Sequence, residues 1–247
     1  MADTPVVEFE DVGFRFANGR VVLDRFTLAV NPGEVVVLVG RSGAGKSTLL
    51  KLVNRMTMPG SGSVRVEGRD TREWPAIGLR RRIGYVLQDV GLFPHMTIEQ
   101  NVGLVPRLEG WPADRIRSRA HELLQLVGLP ADSFASRWPS ELSGGQRQRV
   151  GVARALAIDP PILLMDEPFG ALDPVTRLEL QREFIRIQRQ LKTTVILVTH
   201  DMAEAFALAT RIGVVDAGSL VVCDAPAVVA ENRDPRVTKL LETLRVP

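Results

Sequence analysis

EVVVLVGRSGAGKSTLL, residues 34–50, is a continuous apolar run followed by a glycine-rich segment and then by the start of a helical pattern. An uninterrupted apolar run of this length is typical of a strand buried on both faces of a parallel sheet. Residues 40–48 fit the pattern G-x-x-x-x-G-K-[ST], and they lie between a strand and a helix as that pattern requires. The sequence therefore predicts a phosphate-binding loop.

The residue types in this loop fit the binding of a nucleotide with its Mg²⁺ ion. The glycines let the backbone turn tightly with its N–H groups inward, where the positive end of the helix dipole adds to the attraction for phosphate. Lys46 adds a positive charge, and the hydroxyl of Ser47 is the expected Mg²⁺ ligand. A glycine-rich turn without a ligand is disfavoured because strand, lysine and helix are all present. The predicted contacts are Gly40, Ser42, Gly43, Ala44, Gly45, Lys46, Ser47 and Thr48.

A second apolar run, ILLMDEP at residues 162–168, ends in two acidic residues. Asp166 is predicted to hold the Mg²⁺ shell, through water. Glu167 is our choice for the group that polarises the attacking water. Acidic pairs at strand ends are common by themselves, so this interpretation depends on the presence of the phosphate loop.

Two further polar residues follow apolar strands. His200, in VTHD, is predicted at the carboxyl edge of the sheet, where open α/β sheets bind ligands and an imidazole can contact a γ-phosphate. Gln88 follows RIGYVL, and its amide can coordinate Mg²⁺ or the attacking water. A lone histidine is more often structural and a lone glutamine is more often a surface residue, so both alternatives stay open. His95 and His121 receive no role.

An aromatic pair and a serine-glycine turn complete the candidate site. Phe14 and Phe16, in FRFANG, share a face of a predicted strand, and one ring could stack on a nucleotide base, although core packing competes for both. Ser143 precedes a helical pattern as its N-cap, and a helix N-terminus can meet a γ-phosphate without a lysine. Taken alone, an ordinary capped helix is the better interpretation of that turn.

Apolar periodicity sets the expected organisation of the chain. VVEFEDV and VVLDRFTLAV alternate as antiparallel strands with one exposed face, whereas PILLMDE and TTVILVTH indicate buried parallel strands, so we expect a βα core. Strand signals vanish between residues 89 and 158, which predicts an inserted helical subdomain. The last two strands, TRIGVVDAG and SLVVCD, are expected to form a hairpin around Ala217 and Gly218.

Composition excludes several classes of protein. The 247 residues are 45% hydrophobic and 24% charged with a net charge of +2, which gives no support to a nucleic-acid partner. No apolar run approaches the roughly 20 residues that span a bilayer, so we expect no membrane crossing. The start MADTPVVEFED lacks an apolar signal core, which predicts retention in the cytosol. A single cysteine, Cys223, permits no internal disulfide.

Together these motifs resemble those of the ATP-binding cassette (ABC) ATPases. The resemblance implies an α/β fold, an ABC-type nucleotide-binding domain with a RecA-like parallel-sheet P-loop core, an N-terminal antiparallel β subdomain and an inserted α-helical subdomain. It places that domain at residues 1–225, the insert at about 89–158 and a short helical tail without CBS modules at 226–247. The matching motifs are GRSGAGKST (Walker A), VLQD (Q-loop), LSGGQ (signature), ILLMDE (Walker B), GALD (D-loop) and VTHD (switch histidine).

The resemblance also implies cofactors, residue roles and partners. Phe16 would stack on the adenine of ATP, and Mg²⁺ would be bound by Ser47, Gln88 and Asp166. In this family two cassettes face head to tail, so the signature of one closes over the ATP of the other. The chain has one copy of each motif, which implies a homodimer or a paired cassette. The residues expected at that junction are Ser143, Gly144, Gly145, Gln146 and Asp173.

A lone cassette most resembles the ATPase subunit of an importer whose permease is a separate chain, peripheral on the cytoplasmic face of the membrane. GLFPHMTIEQNV contains Leu92, Phe93 and Met96, which could form a groove for a permease helix, with core burial equally open. The subfamily resembled serves osmoprotectants such as glycine betaine, choline and carnitine, delivered by a solute-binding protein. Alternatives are an importer for an amino acid or polyamine, and a non-transport ABC ATPase. Arg41 and Asp89 depart from residues frequent in the family.

Overall fold

The structure is a computed structural model that describes residues 4–170 and 172–244. Ala171 of the GALD motif lies outside the described residues, as do positions 1–3 of the predicted domain and positions 245–247 of the predicted tail. Within the described part the chain forms two compact units. The first contains residues 4–80 and 193–244, and the second contains residues 81–192 apart from position 171.

The described residues form ten strands and eleven α-helices, with a run of consecutive helices between residues 98 and 155. The strands are β1 Val7–Arg15, β2 Val21–Val30, β3 Val35–Val39, β4 Ser61–Val66, β5 Arg69–Asp70, β6 Ile83–Val86, β7 Ile162–Asp166, β8 Thr194–Thr199, β9 Arg211–Asp216 and β10 Ser219–Asp224. The α-helices are α1 Lys46–Val53, α2 Ala76–Arg82, α3 Ile98–Val102, α4 Leu104–Leu108, α5 Ala113–Leu126, α6 Ala131–Phe134, α7 Gly144–Ala155, α8 Pro174–Leu191, α9 Met202–Leu208, α10 Pro226–Ala230 and α11 Pro235–Leu241. Two short 3₁₀ helices lie at Pro139–Glu141 and Glu242–Leu244.

The first unit contains an antiparallel sheet in the order β2-β1-β4-β5. β1 pairs with β2 and with β4, so that Val7 lies between Val30 and Val66. Alternation along β1 turns Phe9 inward, where its ring packs edge to face on Phe26 at 5.4 Å between centroids. The predicted strands β1 and β2 are confirmed. β4 was not predicted because SGSVRV begins with residues typical of turns.

The same unit contains the strands that carry the phosphate loop, in the order β10-β9-β3-β8. β3 is parallel to both β8 and β9, and every residue of β3 and β8 is buried, as the continuous apolar runs predict. The predicted β9–β10 hairpin is confirmed. Ala217 and Gly218 have φ values of 44° and 83°, the positive pair that a tight hairpin turn requires.

The second unit combines two parallel strands with helices. β6 pairs with β7, so the residues that follow the two strands lie at the same edge. Helix α7 packs against β6, α3 and α5, and α8 packs against α7. Described residues between 89 and 158 form helices and connecting segments without a strand. No helix in the described parts of the chain is both long and apolar enough to cross a membrane.

Candidate nucleotide site

The phosphate loop joins β3 to α1, and backbone approach explains two of its glycines. A β-carbon on Gly40 would lie 2.1 Å from the carbonyl oxygen of Val215, and one on Gly45 would lie 2.7 Å from Cδ2 of Leu23. Real side chains never come so close. Gly43 and Gly45 also have φ values of 81° and 99°, which disfavour any residue with a β-carbon. The loop conformation therefore depends on these glycines.

The side chain of Lys46 folds back into the phosphate loop. It is only 5% exposed, and its Nζ donates hydrogen bonds to the carbonyl oxygens of Gly40 at 2.6 Å and Arg41 at 3.0 Å. Arg41, Ser42 and Gly43 form the exposed tip. The ammonium group is thus held within a glycine-rich loop at the start of a helix, a combination typical of phosphate-binding loops, and its contact with phosphate stays a prediction.

His200 follows β8 next to the start of the loop. Val39 and Thr199 are register partners in the parallel pair β3–β8, so Gly40 and His200 are the next residues on neighbouring strands. The His200 side chain is exposed, and Asp201 caps α9 by accepting the N–H of Ala203 at 2.8 Å. His200 therefore lies at the carboxyl edge of the sheet, and its contact with a γ-phosphate stays a prediction.

Phe16 lies just beyond the end of β1 and is 48% exposed. Its ring contacts Phe14 edge to face, with 5.5 Å between centroids and 81° between planes. Core packing, the competing interpretation, does not hold for Phe16 because half of its surface is open. An exposed aromatic ring can stack on a planar base, and stacking by Phe16 stays a prediction.

In the second unit, three candidate residues lie at the shared edge of β6 and β7. Asp166 ends β7, Glu167 follows it, and the exposed Gln88 lies two residues after β6. Glu167 has a φ of 43°, a backbone conformation that disfavours residues other than glycine and that recurs at functional sites. Sequence reasoning missed Tyr85. Burial of its phenol, reinforced by the nearby Asp166 carboxylate, raises the pKa of Tyr85 above its usual range.

The signature segment forms the N-terminus of α7, with Ser143 as the N-cap. Ser143 Oγ accepts the N–H of Gln146 at 3.2 Å, and Gln146 Oε1 accepts the N–H of Ser143 at 2.9 Å. This reciprocal pair is a capping box, so Ser143 and Gln146 both stabilise the helix start. The predicted N-cap is confirmed, and any contact of these side chains with a nucleotide stays a prediction.

The two signature glycines differ in their surroundings. Gly144 is exposed, and a β-carbon there would meet no heavy atom within 4 Å. Gly145 is buried, and a β-carbon there would lie 2.5 Å from Cγ2 of Thr176 in the first turn of α8. Packing therefore requires glycine at Gly145, whereas nothing described within the chain requires it at Gly144.

Asp173 of the D-loop is the N-cap of α8. Its Oδ1 accepts the N–H of Thr176 at 3.1 Å, and hydrogen bonds with Thr176 lower the pKa of the carboxyl group. The carboxylate is thus ionised at neutral pH. Because Thr176 also contacts Gly145, the D-loop and the signature begin two helices that touch at their first turns.

The segment after Gln88 is organised by a buried amide. Asn101 is fully buried; its Oδ1 accepts the N–H of Phe93 at 2.8 Å, and its Nδ2 donates to Phe93 O and Met96 O at 3.1 Å each. Leu92 and Met96 are half-buried, and Phe93 is 39% exposed. Of the three apolar side chains predicted to form a groove, Phe93 is the most accessible to a partner.

The profile of the ABC transporter family matches residues 23–170, more than half of the chain. The chain belongs to that family. The matched region of this ABC cassette begins in β2, contains the phosphate loop, the signature and the Walker B strand, and ends at Gly170.

Two relatives of this ABC cassette are close in sequence. It is 52% identical over 204 residues to the osmoprotectant import ATP-binding protein OsmV of Salmonella typhimurium, covering 83% of this chain and 53% of that protein. It is 47% identical over 227 residues to the glycine betaine/carnitine/choline transport ATP-binding protein OpuCA of Bacillus subtilis, covering 92% of this chain and 60% of that protein. The cassette therefore spans between half and two thirds of the length of these relatives.

A solved structure agrees in fold. A dimeric ATP-binding cassette in a post-hydrolysis state, bound to ADP and phosphate, superimposes with a TM-score of 0.79 at 32% identity, covering 89% of this chain and 98% of that chain. The predicted α/β fold of the ABC nucleotide-binding domain is confirmed. The domain boundaries and the role of each site residue stay predictions.

Contact between the signature and the D-loop gives a stability prediction. Gly145→Ala should lower the free energy of unfolding by about 1–3 kcal/mol, because the added methyl group overlaps Cγ2 of Thr176. The double variant Gly145→Ala/Thr176→Ser removes that methyl group and keeps the backbone N–H that binds Asp173, so stability should return. Urea unfolding measures both. A double variant no more stable than Gly145→Ala would contradict the proposed overlap.

Proposed function

We propose that the chain is the ATP-hydrolysing subunit of an importer, peripheral on the cytoplasmic face of a membrane, which converts ATP and water to ADP and phosphate. The observation that carries this proposal is the closed phosphate loop around Lys46, whose ammonium group donates to two loop carbonyls. Family membership and the likeness to a cassette bound to ADP and phosphate support it.

Nucleotide binding is assigned to the first unit. The exposed ring of Phe16 would stack on adenine, and the amides of the loop would bind the phosphates together with Lys46. Ser47 and Thr48 lie in the first turn of α1, where the helix dipole favours negative charge. Ser42 would add its backbone amide in the same loop, whereas the N–H of Ala44, also predicted as a contact, donates to the carbonyl oxygen of Arg41 at 3.2 Å.

The donor set fits Mg²⁺, the metal that phosphoryl transfer requires. The proposed ligands are the Ser47 hydroxyl, the Gln88 amide and the Asp166 carboxylate, all oxygen donors of the kind this hard cation prefers. The described residues contain no group of three or more His, Cys, Asp or Glu side chains that could hold a metal ion. Phosphate oxygens of the nucleotide would complete the proposed coordination. Bound Mg²⁺ would neutralise charge on the phosphate oxygens.

Hydrolysis needs a group that orients and polarises water. Glu167 has the carboxylate for this work, and it follows β7 with an unusual backbone φ of 43°. The imidazole of His200 would hydrogen-bond the γ-phosphate and orient the water. Neither residue is proposed to form a covalent intermediate with the nucleotide, because positioning and electrostatic stabilisation account for most of the catalysis of phosphoryl transfer.

The second half of each site is proposed to come from another cassette. Ser143 and Gly144 are exposed at the start of α7, where backbone amides and the helix dipole can meet a γ-phosphate. Gly145 and Gln146 hold that helix start in place, and the ionised Asp173 would lie at the junction. The dimeric state of the similar solved cassette supports a homodimer, or a pair with another cassette, and we propose that the two face head to tail.

The proposed cargo is a quaternary-ammonium osmoprotectant such as glycine betaine, choline or carnitine. The names of the two relatives support this class. The solute would pass through separate transmembrane permease subunits, delivered by a periplasmic or lipid-anchored binding protein that meets the cassette only indirectly. The exposed Phe93 is the proposed contact for a permease helix.

The proposal is tested in two steps. The purified chain should release phosphate from ATP when Mg²⁺ is present, and Lys46→Ala should lower ATP affinity by about 10-fold or more, because a charge-assisted contact is lost. Isothermal titration calorimetry measures that affinity. Proteoliposomes with the cognate permease and binding protein should then take up radiolabelled glycine betaine with ATP. ATP hydrolysis without uptake of any quaternary amine would overturn the assigned cargo and leave the ATPase assignment standing.

A further inference from the structure

The turn between β1 and β2 is held closed by its own backbone. The N–H of Phe16 donates to the carbonyl oxygen of Arg20 at 3.0 Å, and the N–H of Gly19 donates to that of Phe16 at 2.9 Å. The side chain of Asn18 accepts the N–H of Arg20 at 3.1 Å. These bonds fix the backbone of Arg20 relative to that of Phe16.

The strand that follows this turn packs directly on the phosphate loop. A β-carbon on Gly45 would lie 2.8 Å from the carbonyl oxygen of Val22 and 2.7 Å from Cδ2 of Leu23. Backbone and side chain of β2 therefore touch the loop where α1 begins. Arg20 lies immediately before β2. Its backbone is therefore fixed on one side by the turn and on the other by the packing of β2 on the phosphate loop.

The guanidinium group of Arg20 lies next to the tip of the loop. Its Nη2 is 3.6 Å from the point that a β-carbon on Gly43 would occupy. Both residues are exposed, and no carboxylate in residues 4–170 and 172–244 pairs with this guanidinium. A positive charge thus lies beside the exposed tip, while the ammonium of Lys46 lies within the loop and donates to its carbonyls.

From this geometry we propose that Arg20 is a phosphate-binding residue, which contacts the phosphate chain of the nucleotide from the side of the β1–β2 turn. A guanidinium group presents a planar fork of N–H donors that matches phosphate oxygens better than a single ammonium group does. The inference rests on the proposed function, because it requires a nucleotide on the loop. The β1–β2 turn would then supply both the ring of Phe16 for the adenine base and the charge of Arg20 for the phosphates.

Calorimetric titration of ATP, ADP and AMP, each with Mg²⁺, tests this role. Arg20→Ala should weaken ATP binding about 10-fold, because a hydrogen bond to a charged group is lost. The loss should shrink from ATP to ADP to AMP. Arg20→Lys should recover part of the ATP affinity, and the melting temperature without nucleotide should not change. Arg15→Ala, which removes an exposed arginine of β1 on the face opposite Phe14 and Phe16, is the matched control and should bind ATP normally.

Each outcome decides one point. Unchanged ATP binding by Arg20→Ala would overturn the role of Arg20. An equal loss for ATP, ADP and AMP would also overturn it, since that pattern would mean a disturbed turn and not a lost contact with the phosphate chain. Failure of the wild-type chain to bind ATP would instead contradict the proposed function itself.

Discussion

Glu167→Gln should abolish steady-state ATP hydrolysis, with a loss of about 10²–10⁴-fold in kcat, while ATP still binds. The amide keeps the size and the hydrogen-bonding reach of the side chain but cannot polarise water as a carboxylate does. Because hydrolysis is proposed to release the closed pair, the variant should accumulate as a dimer with ATP. Phosphate release and size-exclusion chromatography measure the two effects. Turnover at the wild-type rate would remove Glu167 from the catalytic role.

A matched pair of variants tests whether the backbone at Glu167 is strained. Glu167→Ala and Glu167→Gly both remove the carboxylate, so both should be inactive. They differ in backbone freedom, and at a φ of 43° the glycine variant should be more stable to urea by about 1 kcal/mol. Equal stability would mean that this position carries no backbone strain.

The sequence predicts this fold well where local pattern and tertiary burial agree. The uninterrupted apolar runs of β3 and β8 indicate burial on both faces, and both strands are fully buried in a parallel pair. The strand β4 escapes prediction because its first residues, Ser61 and Gly62, are typical of turns. Its place in the sheet comes from pairing with β1, which lies far away in the sequence.

Motifs in the sequence identify most of the candidate site residues, but only the fold shows what each of them contacts. LSGGQ predicts a capped helix, yet only the packing of Thr176 separates the buried Gly145 from the exposed Gly144. Arg20 belongs to no motif, and the sequence gives no sign that it reaches the loop tip around Gly43. Tyr85 also belongs to no motif, and its closeness to Asp166 follows from the pairing of β6 with β7.

Gly144→Gln should lower ATP hydrolysis by at least about 100-fold without weakening the fold, because the new side chain would fill the space between α7 and the nucleotide of the other cassette. A β-carbon at Gly144 meets nothing within 4 Å, and glutamine is a better helix former than glycine. The free energy of unfolding should therefore stay equal or rise. ATP binding by the single chain should be unchanged, as calorimetry would show.

Gly78→Gln is the matched control, since Gly78 is also an exposed helical glycine whose nearest neighbour would be 3.8 Å away. That variant should hydrolyse ATP normally. Combining Gly144→Gln with Glu167→Gln gives the sharpest readout, because the dimer that Glu167→Gln traps with ATP should disappear. If the double variant still forms that dimer, or if Gly144→Gln weakens ATP binding and hydrolysis equally, the signature does not complete a site on another chain. If the dimer is lost while ATP still binds to the single chain, Gly144 lies at the junction between two cassettes. A side chain there would exclude the partner cassette and leave ATP binding by the same chain's phosphate loop unchanged.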